Sequence, residues 1–419
     1  MNSGLIIRET NRVLRETMQI LKKTLILSVA VSALTLGAPA IAEDVKFGFL
    51  GGFTGPIESL TPPILEGAKL AASHVNAQGG ILGGQLTFTS GDTTCADATA
   101  AANAADKMVN TDQVSAIVGA LCSGATISAA NNAGIPGNVV LISPASTSPS
   151  LTELEDNDLV FRTAPSDAYQ GDVLARLILS KGIKEVAISY VNNDYGKGFA
   201  DALSASFTAN GGTVAASEGH EEGKADYRAE LGSLAATGAQ TLVVLAYASG
   251  SGQTILRQAV ESGDFTAYVG GDGMVGDEAL TGIDAASVEG MIATKPGSPE
   301  VAGADVYAGL ASAAGLDPTS IFAPQAYDAA FILALAVEQK GSSDRDGMSA
   351  AVRSVSSAPG EIILPGEWDK AVALLKQGTE INYEGASGSH EFDAAGDVPG
   401  TIVELVVKGA TFVEVGPAK

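Results

Sequence analysis

Short runs of apolar residues alternate along the chain with longer segments in which apolar residues recur at helical spacing. The first run, Val45–Leu50, ends in two glycines, and Ile64–Asn76 then carries apolar residues every three or four positions. The same alternation continues through most of the chain. It is typical of βαβ units, which place helices on a mainly parallel sheet. The pattern therefore predicts an α/β fold.

The alternation forms two arrays of similar size, followed by a mostly helical stretch and a β-hairpin. In the first array we predict strands at Val45–Leu50, Leu86–Thr89, Val114–Val118 and Val139–Ser143, and helices at Ile64–Asn76, Asp97–Val109 and Ser123–Ala133. In the second we predict strands at Val186–Tyr190, Thr213–Ala216, Leu242–Ala246, Ala267–Val269 and Val288–Ala293, and helices at Gln170–Ser180, Tyr195–Ala209, Tyr227–Ala236 and Gln253–Ser262. The remaining helices are predicted at Ala302–Ala314, Tyr327–Gln339, Gly347–Ser354 and Trp368–Gln377, and the hairpin within Gly400–Val415.

No Pro- or Ser-rich linker separates the two arrays, so we expect two lobes joined by short crossings. The crossings are predicted at Arg162–Asp167, Thr294–Pro299 and Ile381–Gly388. The expected N-terminal lobe comprises residues 43–163 and 297–382, and the expected C-terminal lobe residues 164–296 and 383–419. Two lobes joined in this way form a hinge that can close around a ligand.

The N-terminal region has the features of an export signal. Lys22-Lys23 precedes an apolar run over Thr24–Leu36, and Ala40-Ile41-Ala42 follows as an A-x-A cleavage site. We predict a signal peptide over residues 1–42, with Met18 as the true start and cleavage after Ala42. The alternative is a membrane anchor, but the run of about 13 residues is shorter than the roughly 20 that a bilayer span needs.

The composition is that of an exported globular protein with an acidic surface. Removal of the predicted leader leaves about 377 residues, which favours two domains. The whole chain has a net charge of −24 and the leader carries about +3, so the mature protein is near −27. A surface this acidic repels nucleic acid and anionic lipid headgroups. We therefore expect no nucleic-acid partner and no membrane insertion after leader removal.

Two cysteines are present, Cys95 and Cys122. In an oxidising compartment an even pair favours one disulfide. The alternative, a redox-active pair, lacks the C-x-x-C spacing.

Motifs for catalysis or cofactor binding are weak or missing. There is no G-x-S-x-G elbow and no Walker A sequence, and His74, His220 and His390 lack metal-ligand spacing. The stretch Gly271–Gly276 matches G-x-G-x-x-G, but Asp272 within it would repel a pyrophosphate. We therefore predict no enzyme activity, no cofactor and no metal.

Polar residues stand where the predicted strands end, which is where ligands bind in open α/β sheets. In the first array Ser123 opens a helix, where it is expected to act as an N-cap beside free N–H groups, and Ser143–Thr147 follows the next strand. In the second array the strand ends are followed by Tyr195, Tyr247 and Asp272. Neutral donors on one lobe and a carboxylate on the other suit a zwitterion.

Several motifs resemble the periplasmic leucine/isoleucine/valine-binding proteins of ABC transporters, which have the type I periplasmic binding fold. The resemblance extends over essentially the whole mature chain. It rests on Gly55-Pro56, Glu66-Gly-Ala68, Asn76–Ile81, Gly91–Cys95, Gly119–Ser123, Ile142–Thr147, Phe161-Arg-Thr163, Asp194-Tyr-Gly196 and Tyr327-Asp-Ala329.

The resemblance also implies roles for individual residues. Ser123, Ser146 and Thr147 would hold the ligand's α-carboxylate, and Tyr195 and Tyr247 would close over it from the second lobe. Asp272 would pair with the α-ammonium, at a position where leucine-binding members have Glu. Leu60 stands where they have a Trp, which implies a roomier pocket.

We therefore expect a periplasmic solute-binding component of an ABC importer. It would bind an amino acid, branched-chain or otherwise hydrophobic, between its lobes and deliver it to an inner-membrane permease. Two alternatives remain open. The same fold could bind an amide, urea or an aromatic acid for transport or sensing, or the chain could be an exported enzyme on a two-lobed scaffold.

Overall fold

The computed structural model describes residues 9–19 and 43–418. Residues 9–19 form helix α1, in which Arg12 and Glu16 make an exposed ion pair one turn apart. The apolar run and the cleavage site of the predicted signal peptide lie outside the described residues. Residues from Glu43 onward form a separate compact unit.

The apolar runs of the first array form a sheet of five parallel strands. These are β1 (Val45–Gly51), β2 (Leu86–Asp92), β3 (Ala116–Gly119), β4 (Val140–Ser143) and β5 (Val160–Arg162). Their order across the sheet is β2-β1-β3-β4-β5. All residues of β3 and β4 are buried, as expected of central strands covered by helices on both faces.

The second sheet has seven strands and is mainly parallel. Its strands are β6 (Glu185–Val191), β7 (Thr213–His220), β8 (Thr241–Leu245), β9 (Ala267–Gly270), β10 (Ile292–Gly297), β13 (Thr401–Lys408) and β14 (Thr411–Pro417). They lie in the order β14-β13-β10-β9-β8-β6-β7, with β13 antiparallel to both of its neighbours. A separate parallel pair consists of β11 (Glu361–Ile363) and β12 (Ile381–Tyr383).

Helices cover the sheets. They are α2 (Thr61–Ala77), α3 (Ala98–Asp106), α4 (Ser123–Ala129), α5 (Asp167–Ser180), α6 (Asp194–Ala209), α7 (Arg228–Ala235), α8 (Ser251–Ser262), α9 (Ala285–Val288), α10 (Ala302–Ala313), α11 (Ala323–Lys340), α12 (Met348–Ser356) and α13 (Trp368–Lys376). The longest, α11, is buried along nearly its whole length and packs against α2. A helix that is apolar on all sides belongs in a core, and α11 occupies the core of the first lobe.

The chain passes between the two lobes three times, and buried polar contacts brace these crossings. Arg162, 2% exposed, ends β5 and makes a bidentate ion pair with Asp397, which lies between β12 and β13. Asp328 of α11 accepts hydrogen bonds from the Tyr383 hydroxyl and from the backbone N–H groups of Ala386 and Ser387. These contacts hold in place the segments that connect the two sheets. The residue ranges expected for each lobe stay a prediction.

The structure corrects several predicted boundaries. Instead of a strand at Val288–Ala293, α9 ends at Val288 and β10 runs over Ile292–Gly297, because pairing with β13 extends the strand through Lys295-Pro296. The short strands β5, β11 and β12 were not predicted. The ends of the first predicted crossing belong to β5 and α5, most of the second belongs to β10, and the third begins within β12. The helices predicted to end at Val109 and Ala133 finish in π-helical turns at Lys107–Thr111 and Ala130–Gly134.

Two other predictions are confirmed. Cys95 and Cys122 form a disulfide that joins the loop after β2 to the start of α4. The C-terminal hairpin is present, and Gly409 and Ala410 at its turn both have positive φ, as a two-residue type I′ turn requires. Within residues 9–19 and 43–418, no helix is long and apolar enough to span a bilayer.

Candidate functional site

A cavity lies at the carboxyl ends of strands from both sheets. It encloses about 370 Å³ of atom-free space, part of it open to solvent. Its walls are formed by Ile57, Leu60, Ile64, Leu121, Cys122, Ser123, Ala145, Tyr195, Tyr247, Asp272, Gly273 and Phe322. Five of the seven residues predicted to bind ligand therefore line one chamber: Leu60, Ser123, Tyr195, Tyr247 and Asp272.

Most of the wall is apolar and comes from the first lobe. Ile57 and Leu60 lie in the turn between β1 and α2, and Ile64 lies in the first turn of α2. Phe322 immediately precedes α11 and Leu121 precedes α4. Such a wall stabilises an apolar ligand body, because each buried methylene contributes about 0.8 kcal/mol.

Ser123 provides the polar group of the first lobe in this cavity. It is 1% exposed, and its Oγ accepts a hydrogen bond of 3.1 Å from the backbone N–H of Ser148. The prediction that Ser123 is an N-cap is wrong, because Cys122 holds that position and Ser123 is the first helical residue. The Ser123 hydroxyl proton remains available for an acceptor in the cavity.

Ser146 and Thr147 do not line the cavity. The Ser146 hydroxyl is hydrogen-bonded to the Thr126 hydroxyl at 2.7 Å and to the Ala120 carbonyl at 3.3 Å. Thr147 is fully buried, and its Oγ1 has no hydrogen-bond partner. The structure thus separates these two residues from Ser123, although all three were expected at one end of the ligand.

The second lobe contributes two stacked tyrosines. The rings of Tyr195 and Tyr247 lie 5.2 Å apart and 23° from parallel. Tyr195 is in the first turn of α6, whose N-cap Asn193 also donates to the Tyr247 hydroxyl at 3.3 Å. Burial, followed by the charge of Asp272, raises the pKa of Tyr195 well above its usual value. Both rings therefore act as neutral groups that close one side of the cavity.

Asp272, 3% exposed, is the acidic group of the cavity. Its Oδ1 accepts hydrogen bonds from the Tyr195 hydroxyl at 3.1 Å and from Gln170 Nε2 at 3.2 Å. Both reach the same oxygen, so Oδ2 accepts from no side chain among the described residues. Burial raises the pKa of Asp272 to about 6, against the lowering effect of the hydrogen bond from Tyr195. A cationic ligand group would compensate this buried charge.

The glycine-rich stretch around Asp272 does not open a long helix. Asp272–Met274 is a single 3₁₀ turn, and the next helical segment, Asp277–Leu280, is another. A dinucleotide site needs a helix N-terminus directly after the strand, so this local structure disfavours the dinucleotide alternative.

The three histidines have hydrogen-bond partners in separate parts of the protein. His74 contacts the Tyr327 hydroxyl at 2.8 Å, and His220 lies between the hydroxyls of Ser189 and Ser251. Burial lowers the pKa of His220 to about 4. His390 lies 3.3 Å from a carboxylate oxygen of Asp328. Across residues 9–19 and 43–418, no three His, Cys, Asp or Glu side chains are grouped to hold a metal ion.

Sequence reasoning missed two buried residues near Asp272. Gln170 donates to it, and Asp167 begins the same helix, α5. Both follow a lobe crossing rather than a strand, so the rule that ligands bind at strand ends did not point to them. Their one detectable feature was the i, i+3 spacing, which places both on one face of α5.

Comparison with known proteins places this geometry in a family. The family model described as periplasmic binding protein matches residues 44–375. The chain belongs to the periplasmic binding protein family. A curated relative, the leucine-, isoleucine-, valine-, threonine- and alanine-binding protein of Pseudomonas aeruginosa, is 31% identical over 319 residues, which are 75% of this chain and 83% of that protein.

Two more relatives of this periplasmic binding protein extend the comparison. The Leu/Ile/Val-binding protein of Escherichia coli is 32% identical over 265 residues, which are 63% of this chain and 71% of that protein. The crystal structure of a branched-chain amino acid transporter substrate-binding protein from Streptococcus pneumoniae, in complex with isoleucine, has a TM-score of 0.72 at 25% identity. The match covers 89% of this chain and 100% of that one. These similarities confirm the two-lobed α/β fold.

Proposed function

We propose that this periplasmic binding protein captures an amino acid with an apolar side chain and delivers it to an ABC permease in the inner membrane. Its leader would be removed after Ala42 on export to the periplasm. No bond is made or broken, because the task is selective, reversible capture. The observation that carries the proposal is the shared cavity, which places Ser123 and Asp272 in one chamber with an aliphatic wall.

The chemistry of the cavity suits a zwitterion with an apolar body. Ser123 donates a hydrogen bond to the ligand's carboxylate, and Asp272 accepts from its ammonium. The wall around Leu60 and Phe322 receives the side chain. A ligand without a cation would leave the Asp272 carboxylate buried and unpaired, which is energetically costly. The named ligands of the relatives, led by leucine, isoleucine and valine, have all three parts.

Lobe closure links binding to transport. A ligand that contacts both lobes stabilises the closed arrangement, since it gains all its contacts only there. A permease can then distinguish loaded from empty protein by the relative position of the lobes. A differential binding energy of about 5.5 kcal/mol is enough to convert a 1:99 population into 99:1.

A thermal-shift screen tests the proposal. The mature protein is melted with each amino acid, with amides and urea, and with aromatic and aliphatic carboxylic acids. A ligand at 100 times its Kd adds about 2.7 kcal/mol of stability. We expect the strongest shifts from leucine, isoleucine or valine. Shifts from uncharged solutes or simple acids, with none from any amino acid, would contradict the proposal.

Repeating the screen with the Asp272→Asn variant tests whether the ligand binds at Asp272, and the Asp277→Asn variant is the matched control. Asp277 is an exposed residue of the same type five positions along the chain. The first variant should lose the amino-acid shift and the second should keep it. Equal shifts in both variants would remove Asp272 from the site.

A further inference from the structure

Gln170 lies near the start of α5 and is fully buried. Its amide nitrogen, Nε2, is 3.2 Å from each of three oxygens: Oδ1 of Asp272 and the carbonyl and hydroxyl oxygens of Thr294. A backbone carbonyl and an ionised carboxylate can only accept hydrogen bonds, so the NH₂ group of the amide must face them. The surroundings of Gln170 therefore fix the orientation of its amide.

The Asp272 carboxylate is held by side-chain donors from two helices. The Tyr195 hydroxyl of α6 accepts a hydrogen bond from the Gly273 N–H at 3.1 Å and donates its own proton to Asp272 Oδ1, also at 3.1 Å. Gln170 of α5 donates to the same oxygen. Two donors that reach one oxygen from different helices restrict the rotation of the carboxylate. The orientation of Asp272 in the cavity therefore depends on both Tyr195 and Gln170.

Gln170 also joins this carboxylate to a segment that connects the two lobes. Thr294 lies in β10, within the second predicted crossing, and β10 pairs with β9, the strand that precedes Asp272. Among the described residues, Tyr195 and Gln170 are the only side chains that donate to Asp272. Without the amide of Gln170, the carboxylate would keep one side-chain donor and lose its connection to β10.

We infer that Gln170 is a positioning residue, which holds the Asp272 carboxylate in the orientation that receives the ligand's ammonium. This inference rests on the proposed function. Gln170 is not among the residues that line the cavity, so it acts on the ligand only through Asp272. An apolar side chain of similar size would fill its space without donating. The ammonium would then meet a carboxylate that is less well oriented and more easily protonated, because a hydrogen bond to the charged form lowers the pKa of a carboxyl group.

Calorimetric titration of leucine into Gln170→Met tests the inference, over a range from about pH 5 to about pH 8. Near pH 8 the affinity should be roughly tenfold weaker than that of the wild type, the effect of one hydrogen bond to a charged group. The pH below which affinity falls should also rise by about one unit, because the lost amide favours the ionised form of Asp272.

The other titratable groups around Asp272 are the same in the wild type and the variant. Tyr195 on α6, Tyr247 after β8 and Asp167 on α5 interact with Asp272 through their charges. Burial raises the pKa of both tyrosines, so neither of them ionises in this pH range. A difference between the two pH profiles therefore reports the lost amide.

Gln258→Met is the matched control. Gln258 is a buried glutamine on α8 of the same lobe, and it does not line the cavity. Its Oε1 accepts from the Tyr227 N–H at 2.7 Å, and its Nε2 donates to the Ala225 carbonyl at 3.0 Å. The substitution should lower the melting temperature, because it leaves buried polar groups unpaired. It should leave the leucine affinity and its pH profile unchanged.

The outcomes separate this inference from the proposed function. A wild-type protein that binds no amino acid overturns both. If the wild type binds leucine, an affinity of Gln170→Met near pH 8 that is weakened by less than about threefold overturns only the role of Gln170. An unchanged pH profile also overturns it, because a merely structural role would not alter the titration of Asp272. If the Met variant does not fold, Gln170→Leu is used in the same titrations, with the same expected and contradicting results.

Discussion

Ser59 and Ser249 face each other across the mouth of the cleft, with 2.6 Å between their hydroxyl oxygens. Ser59 lies just before α2 in the first lobe, and Ser249 follows β8 in the second. The two lobes are therefore in contact at this edge of the cleft. One neutral hydrogen bond contributes only about 1 kcal/mol, so this contact alone would not hold the lobes together.

Because these two residues are so close, we expect that a disulfide between them would keep the two lobes together. In a Ser59→Cys, Ser249→Cys variant the sulfur atoms would be within bonding reach. Oxidation in the presence of leucine should form the cross-link and slow leucine release by more than about tenfold, as measured by dissociation of radiolabelled ligand. Each single Cys variant is the control and should release leucine at the wild-type rate. Unchanged release from the cross-linked variant would show that closure does not trap the ligand.

Asp272 should make amino-acid affinity depend on pH. Its pKa in the free protein is raised to about 6 by burial, and an ammonium binds the ionised form. Leucine affinity should therefore be level above about pH 7 and fall below about pH 6, by up to about tenfold per pH unit. Calorimetric titration between about pH 5 and pH 8 measures this. The residual affinity of Asp272→Asn should not show the fall, and a wild-type affinity that rises towards acid would contradict the assignment.

The same carboxylate affects stability with the opposite sign. A folded-state pKa above the unfolded value means that ionisation of Asp272 costs stability as pH rises from about 4 towards 7. The stability of the ligand-free wild type relative to Asp272→Asn should thus be greatest near about pH 4 and smallest near about pH 7. Urea denaturation at several pH values measures the difference. A difference that grows with pH would contradict the burial of the charge.

Arg162 should be the most important cation for stability among the described residues. It is buried and bonds Asp397 through two nitrogens, at 2.6 and 2.7 Å, which joins the end of β5 to the segment between β12 and β13. Arg162→Met should lower the free energy of unfolding by about 3 kcal/mol or more, because it leaves Asp397 unpaired. The control, Arg176→Met, breaks an exposed pair with Asp172 that contributes about 1 kcal/mol at most. Urea denaturation should separate the two variants, and equal losses would contradict the bracing role.

Leu60 should set the size limit of the side-chain pocket. Leu60→Trp adds a large ring to the wall of this cavity, and overfilling a packed site costs roughly 1–3 kcal/mol. Affinity for phenylalanine should therefore fall by roughly tenfold or more relative to affinity for valine. Leu60→Met, of similar volume, should leave the ratio nearly unchanged. If the Trp variant changes both affinities equally, Leu60 does not contact the ligand side chain.

The fold was predictable because buried parallel strands give short, continuous apolar runs. Val114–Val118, interrupted only by Ser115, and Leu242–Ala246 are of this kind, and both overlap strands in the structure. The strand β10 was misplaced because it depends on pairing with β13, more than 100 residues away, rather than on local β propensity. The strands β5, β11 and β12 have only three residues each, so they also depend on tertiary contacts.

The candidate site was partly predictable for a similar reason. Ser123, Tyr247 and Asp272 follow strand ends, and parallel strands bring their carboxyl ends to one edge of a sheet. The sequence does not reveal that the Ser146 hydroxyl is already bonded to Thr126 and to a backbone carbonyl. It also does not show that α5 brings Gln170 within 3.2 Å of Asp272, because that depends on how the crossing packs.

The central claim is that an amino acid spans the cleft from Ser123 to Asp272. The crystal structure of the mature protein with leucine tests it most directly. The ligand's carboxylate should lie within about 3.2 Å of Ser123 Oγ and its nitrogen within about 3.2 Å of a carboxylate oxygen of Asp272. Leucine bound with its nitrogen away from Asp272, or bound outside this cavity, would contradict the account.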